Sequence, residues 1–94
     1  MRKYETVYIV NSDLDEEALK VISEKYSEQV KTLGGEVEDI DIWGKKRFAY
    51  EIDGIKEGNY IVMRFNSSVA TAQELGRILK LSDEVIKNHI VKLN

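Results

Sequence analysis

The residues that could carry covalent chemistry are few in this 94-residue chain, which has one histidine, His89, and no cysteine. A catalytic histidine needs an orienting carboxylate and a substrate-facing position. His89 instead falls in the Val- and Ile-rich run Val85 to Leu93, where a surface or edge-strand place is expected. No serine sits in a nucleophile-elbow context. Without cysteine there is no disulfide framework, zinc ribbon or thiol nucleophile. Asp39 and Asp41 lack the spacing and glycine of a calcium loop. Gly34-Gly35 precedes a strand, whereas a phosphate-cradling loop opens a helix. The expectation is a protein that binds macromolecules and is not an enzyme, with no catalytic residue, metal or cofactor and no small-molecule substrate.

The densest signal for binding is Trp43-Gly44-Lys45-Lys46-Arg47-Phe48-Ala49-Tyr50. Three consecutive bases lie between aromatics. Lysine and arginine can bind phosphates, and aromatics can pack on sugars, bases or a partner protein. On a strand, Lys45 and Arg47 project from one face and Lys46 from the other. The plainer reading is an edge strand that carries lysines against aggregation. Trp43, the single tryptophan, is either packed in a core or bulge or an anchor for a partner. Arg2 and Lys3 are expected to extend the basic patch.

These residues must be held by regular elements. Arg2 to Val10 reads as a strand with both faces partly apolar, as in a sheet interior. Tyr4, Thr6, Tyr8 and Val10 share one face; Val7 and Ile9 share the other. Ser12 or Asp13 is expected to cap a helix whose apolar residues recur at Leu14, Ala18, Ile22, Tyr26, Val30 and Leu33. Gly34-Gly35 ends it. A long strand from Glu36 to Ile52 follows. Its alternation shifts between Val37 and Ile40, which predicts a bulge, with Gly44 a natural partner for one. Asp53-Gly54 and Glu57-Gly58 bracket a hairpin, and Tyr60 to Asn66 is the next strand. Ser67 or Ser68 caps a second helix with a stripe of Val69, Ala72, Leu75, Gly76 and Leu79. Val85 to Leu93 is the last strand, with imperfect alternation around Asn88 and His89.

The plan strand-helix-strand thus occurs twice in one domain spanning residues 1–94. Right-handed crossovers turn it into an α+β, ferredoxin-like β-α-β-β-α-β fold: a four-stranded antiparallel sheet with two helices on one face. The first and third strands are then central. The other sheet face, with Val7, Ile9, Tyr60, Val62 and Arg64, is open and is a candidate contact surface.

The composition, 43% hydrophobic and 33% charged, suits a folded domain and not a disordered one. No apolar run is long enough for a membrane span, so no membrane partner is expected. The net charge of −3 argues mildly against nucleic acid, but its distribution is lopsided. Asp13 to Asp41 holds ten acids and three bases, and the remainder seven acids and eleven bases. A basic region can therefore face a polyanion while an acidic helix faces elsewhere.

Several stretches together resemble one family. Met1-Arg2-Lys3-Tyr4-Glu5 opens a strand, Asp39 to Tyr50 reads D-I-D-I-W-G-K-K-R-F-A-Y, Gly58 precedes the third strand, and Ser82 to Ile86 leads into a strand ending Ile90-Val91-Lys92. In these the chain is similar, over nearly its whole length, to the sixth protein of the bacterial small ribosomal subunit. Phe48 stands where that family usually has leucine, and Glu51 where many members have proline. The resemblance implies a cytoplasmic ribosomal protein that binds the central domain of the 16S rRNA as a heterodimer with the eighteenth small-subunit protein. It assigns Arg2, Lys3, Tyr4, Lys45, Lys46, Arg47 and Lys92 to RNA, and Trp43 to the protein partner. The competing reading is a small-molecule-binding regulatory domain on the same fold.

Overall fold

Six elements follow one another in a computed structural model that describes residues 1–52 and 54–93, the side chains of 48–52 and 55 excepted. They are β1 (Arg2–Asn11), α1 (Glu16–Thr32), β2 (Glu36–Ile52), β3 (Ile55–Ser67), α2 (Val69–Leu81) and β4 (Val85–Lys92). The sheet order is β2-β3-β1-β4, with every neighbouring pair antiparallel. The expected ferredoxin-like arrangement is what forms, with β1 and β3 central. The hairpin is tighter than expected: β3 begins at Ile55, so Glu57-Gly58 lies within the strand and does not bound the turn, while Asp53 lies outside the described residues.

β1 and β3 are central because alternate side chains of each are apolar toward the helices. Tyr8, Val10, Ile61, Met63 and Phe65 are fully buried, and Tyr4 is 7% exposed. The register sets Tyr4 opposite Phe65 and Tyr8 opposite Ile61. The Tyr4 and Phe65 rings stack at 5.6 Å, and Tyr8 meets Tyr26 of α1 edge-on at 5.3 Å. Leu19, Ile22, Tyr26 and Val30 from α1, and Ala72, Leu75 and Leu79 from α2, complete this core.

The cap of α1 lies later than the sequence suggested. Asp15, not Ser12 or Asp13, accepts the Ala18 amide at 2.8 Å. The cause is local. Asn11 Oδ1 accepts the Asp13 amide at 2.8 Å, an Asx turn that carries the chain through 11–14 before helix geometry can begin. At the other end the Gly35 amide donates to Val30 O at 2.8 Å and the Gly34 amide to Lys31 O at 3.0 Å. This is the Schellman closure, with Gly34 at φ +91° in the left-handed region.

In α2, Ser68 caps by accepting the Thr71 amide, and Thr71 Oγ1 donates to Leu33 O at 2.8 Å, tying the two helices end to end. Val69 does not join the buried stripe as expected; it is 45% exposed and lines a groove between α2 and β4. Gly76 sits in mid-helix, where glycine costs about 1 kcal/mol relative to alanine.

The register of β2 shifts at three places where one bulge was expected, the third between Arg47 and Ile52. Val37 pairs with Phe65 and Asp39 with Arg64, leaving Glu38 extra; Ile42 pairs with Ile61 and Gly44 with Tyr60, leaving Trp43 extra. The irregularity of β4 lies earlier than Asn88 and His89: Ile9 pairs with Lys87 and Val10 with Val85, so Ile86 is unpaired.

The turn into β4 is clamped to α1. Glu84 Oε2 accepts from Lys25 Nζ at 2.7 Å and from the Tyr26 hydroxyl at 2.5 Å. Those bonds, Lys25 first, hold the Glu84 carboxyl below its ordinary value of 4.5. A depressed folded-state pKa contributes stability that is present above the unfolded value and is lost as pH falls through the folded one. The Glu84 contribution should therefore disappear on acidification below about pH 4.5. Thermal melts of the wild type and Glu84→Gln should differ at pH 7 and converge in acid; a constant difference from pH 7 to pH 3 would remove the clamp from the account.

Candidate nucleic-acid interface

The basic block of β2 is shaped by the second bulge. Gly44 is at φ +83°, a conformation that suits glycine. The bulge turns Trp43 over Tyr60, their rings near-parallel at 14° and 6.3 Å apart. The indole N–H donates to Asp41 Oδ2 at 3.2 Å, and Lys46 Nζ lies 5.5 Å from the indole centroid. Trp43 is a bulge residue, 48% exposed, and not part of the core.

Lys46 is level with Gly58, which is level with the last residue of β1, Asn11. Beyond that point β2 and β3 continue as a two-stranded ribbon, paired at Arg47–Glu57 and Ile52–Ile55. Lys45 approaches Glu57 at 4.0 Å, both exposed, a pair that contributes little. Arg47 lies opposite Glu57 and is exposed. The block is thus a set of solvated cations at the root of a protruding hairpin.

Arg2, Lys3 and Lys92 do not extend this patch. Arg2 is level with Ser67, and Lys92 with Tyr4. The ten residues of β1 separate the two basic groups by about 30 Å at ~3.3 Å per residue. The chain leaves Arg2 heading toward the hairpin end, so the first residues and the basic block occupy opposite ends of the sheet. Lys3 is engaged by Glu38 at 3.3 Å. Glu38 also accepts from Asn66 Nδ2 at 2.8 Å, and that bond, then Lys3, pulls its carboxyl below the ordinary range.

Tyr4 is a correction. Its ring belongs to the core, stacked on Phe65, and is not available to stack on a base.

The ribosomal protein S6 family profile matches residues 3–92. The chain belongs to the ribosomal protein S6 family. Small ribosomal subunit protein bS6 of Carboxydothermus hydrogenoformans is 45% identical over 98% of this chain and 96% of its own length. That of Clostridium acetobutylicum is 43% identical over 99% and 98%. The crystal structure of 30S ribosomal protein S6 from Thermotoga maritima superposes with a TM-score of 0.89 at 26% identity, covering 98% of this chain and 87% of that one. As a member of the S6 family the chain is a protein of the bacterial small ribosomal subunit.

The open face of this S6-family sheet is less open than the sequence implied. Val62 is fully buried and Ile9 is 6% exposed. Arg64 donates from Nε to Glu5 at 3.2 Å and from Nη1 to Asp39 at 2.8 Å. This three-strand bridge runs through the register Glu5–Arg64–Asp39. The sequence placed Arg64 on the face but not between its acids, since that needs the pairing of segments 25 and 59 residues apart. The bridge sets one guanidinium between two carboxylates in the middle of the face.

The bulge sets the position of Trp43, so Gly44→Ala, forced to a left-handed φ, should cost roughly 1–2 kcal/mol. Trp43 is the sole tryptophan, and its emission should shift to the red as the Tyr60 stack loosens. Urea denaturation and fluorescence unchanged from wild type would show that the bulge does not hold the indole.

Proposed function

We propose that this chain is a structural RNA-binding protein that docks on the central domain of the 16S rRNA as a heterodimer with the eighteenth small-subunit protein. What carries the reading, beyond family membership, is the position of its solvent-facing cations. Lys45, Lys46 and Arg47 at the hairpin root and Arg2 and Lys92 at the far end, with Lys3 beside them, give phosphate contacts about 30 Å apart. Such a pair of contacts grips an RNA fold at two places and fixes its orientation.

The need for a partner follows from charge. A chain of net charge −3 releases few counterions by itself, and a basic partner would supply the rest. Trp43, held by Tyr60 and Lys46 yet half exposed, is the anchor offered to that partner, since a pre-positioned aromatic loses little freedom on binding.

The test is a salt titration of binding to a central-domain RNA fragment, with and without the eighteenth protein. Binding should be far tighter with both proteins. Replacing Lys45, Lys46 and Arg47 together by alanine should weaken it and flatten the slope of log affinity against log salt by about 2–3, at ~0.9 per phosphate contact. An unchanged slope would take the block away from phosphate binding. Equal affinity with and without the partner would remove the heterodimer.

A further inference from the structure

We infer that the groove between α2 and β4 receives one unstacked RNA base, an extension that rests on the RNA-binding reading above. The groove has a volume of about 440 Å³, within the usual span of roughly 300–1,000 Å³ for small-ligand sites. It is lined by Val69, Ala72, Gly76 and Ile90 with Tyr4 and His89, and Gln73 and Asn88 add amide groups that can both donate and accept. β4 pairs with β1 alone in the sheet, so backbone groups along its outer edge are free to bond a base edge as well.

Two observations point to a base. The first is charge. No carboxylate lines this groove, whereas the cavities around the α1 entrance are lined by Asp13, Asp15 and Glu16 or by Asp83 and Glu84. Cations stand at its ends. Lys92 is level with Tyr4, Arg2 is two residues before it, and Lys80 is one helical turn beyond Gly76. None of the three forms an ion pair with a described residue. The first turn of α2 carries no acid to offset its positive end, unlike that of α1. A phosphate held by Arg2 and Lys92 leaves its base beside the groove.

The second is Gly76. Glycine weakens a helix interior, and packing does not require it here, since an added Cβ would meet Ile90 Cδ1 at 3.5 Å, an ordinary contact. What its missing side chain does is widen the groove between the helix backbone and Ile90 by a methyl group, which leaves room for a planar base.

Adenosine and uridine 5′-monophosphates, titrated into the isotope-labelled full chain, should shift the amide resonances of Ala72, Gly76, Asn88 and Ile90 saturably. Inorganic phosphate should shift only the Arg2 end. Gly76→Ala should raise Tm by roughly 4–8 °C while weakening the base-dependent shifts, and Gly76→Leu should abolish them. In the RNA assay with the partner present, Gly76→Leu should weaken binding roughly 5- to 150-fold, the range for one stacked base. Identical shifts from phosphate and nucleotides would mean an anion site only and overturn the proposal. So would full RNA binding by Gly76→Leu, and a change only in its sedimentation would make the groove a self-association face. An Arg2→Ala/Lys92→Ala variant separates the two readings: if it weakens RNA binding and Gly76→Leu does not, the groove fails alone; if neither does, RNA contact at this end fails as well.

Discussion

β1 is paired along both edges, and from Tyr4 to Val10 each of its residues has a partner on β3 and on β4. A slip of one residue would exchange its two faces. Tyr4, Thr6, Tyr8 and Val10 would leave the core, and Glu5 and Val7 would enter it. The apolar pattern therefore locks the register, and the register decides what meets on the other face. It brings Arg64 between Glu5 and Asp39 and Tyr60 under the Trp43 bulge. None of these contacts could set the register, because each is exposed or half-exposed and individually weak. They are consequences of the core, and the placement of cations depends on them.

Screening explains how a chain with excess acid can still meet a polyanion. The Debye length at physiological salt is about 8 Å. The two basic groups stand about 30 Å apart along β1, so each acts through its own local charge, not the sum. Around Lys45–Arg47 the paired carboxylate is Glu57, with Asp13, Asp15 and Glu16 lining the same cavity as Lys45; around Lys3 it is Glu38. Both paired carboxylates are solvated and exchangeable. Other carboxylates, Glu5 and Asp39 on Arg64 and Glu84 on Lys25 and Tyr26, are engaged by partners within the molecule.

Much of this was legible in the sequence, for reasons that differ by residue. The limits of β2 and the bulge at Gly44 could be read because period-two alternation and a glycine are local signals. The cap of α1 was misread because Ser12 and Asp13 have the right chemistry, while the Asx turn that displaces them depends on how Asn11 leaves the sheet. Tyr4 was assigned to RNA on family resemblance; its alternation with Thr6, Tyr8 and Val10 already favoured the core. The idea that Arg2 and Lys3 extend the β2 block failed for a topological reason. Strand order was inferred correctly, but the end of the sheet on which a residue falls follows from strand direction, and an antiparallel path puts the start of β1 far from the middle of β2.

For the edge strands the two readings of the lysines do not compete. β2 and β4 each leave one side of their backbone unpaired, which invites pairing with another chain. Charges at Lys45, Lys46 and Arg47 on one edge, and at Lys87 and Lys92 on the other, repel a second copy that carries the same charges. A polyanion reverses the sign of that interaction. The residues that keep two copies apart are the ones whose desolvation RNA can repay, because phosphate supplies the counter-charge that a like copy lacks. One set of side chains can therefore guard the edges of the free protein and mark them for RNA, with no switch in structure between the two states.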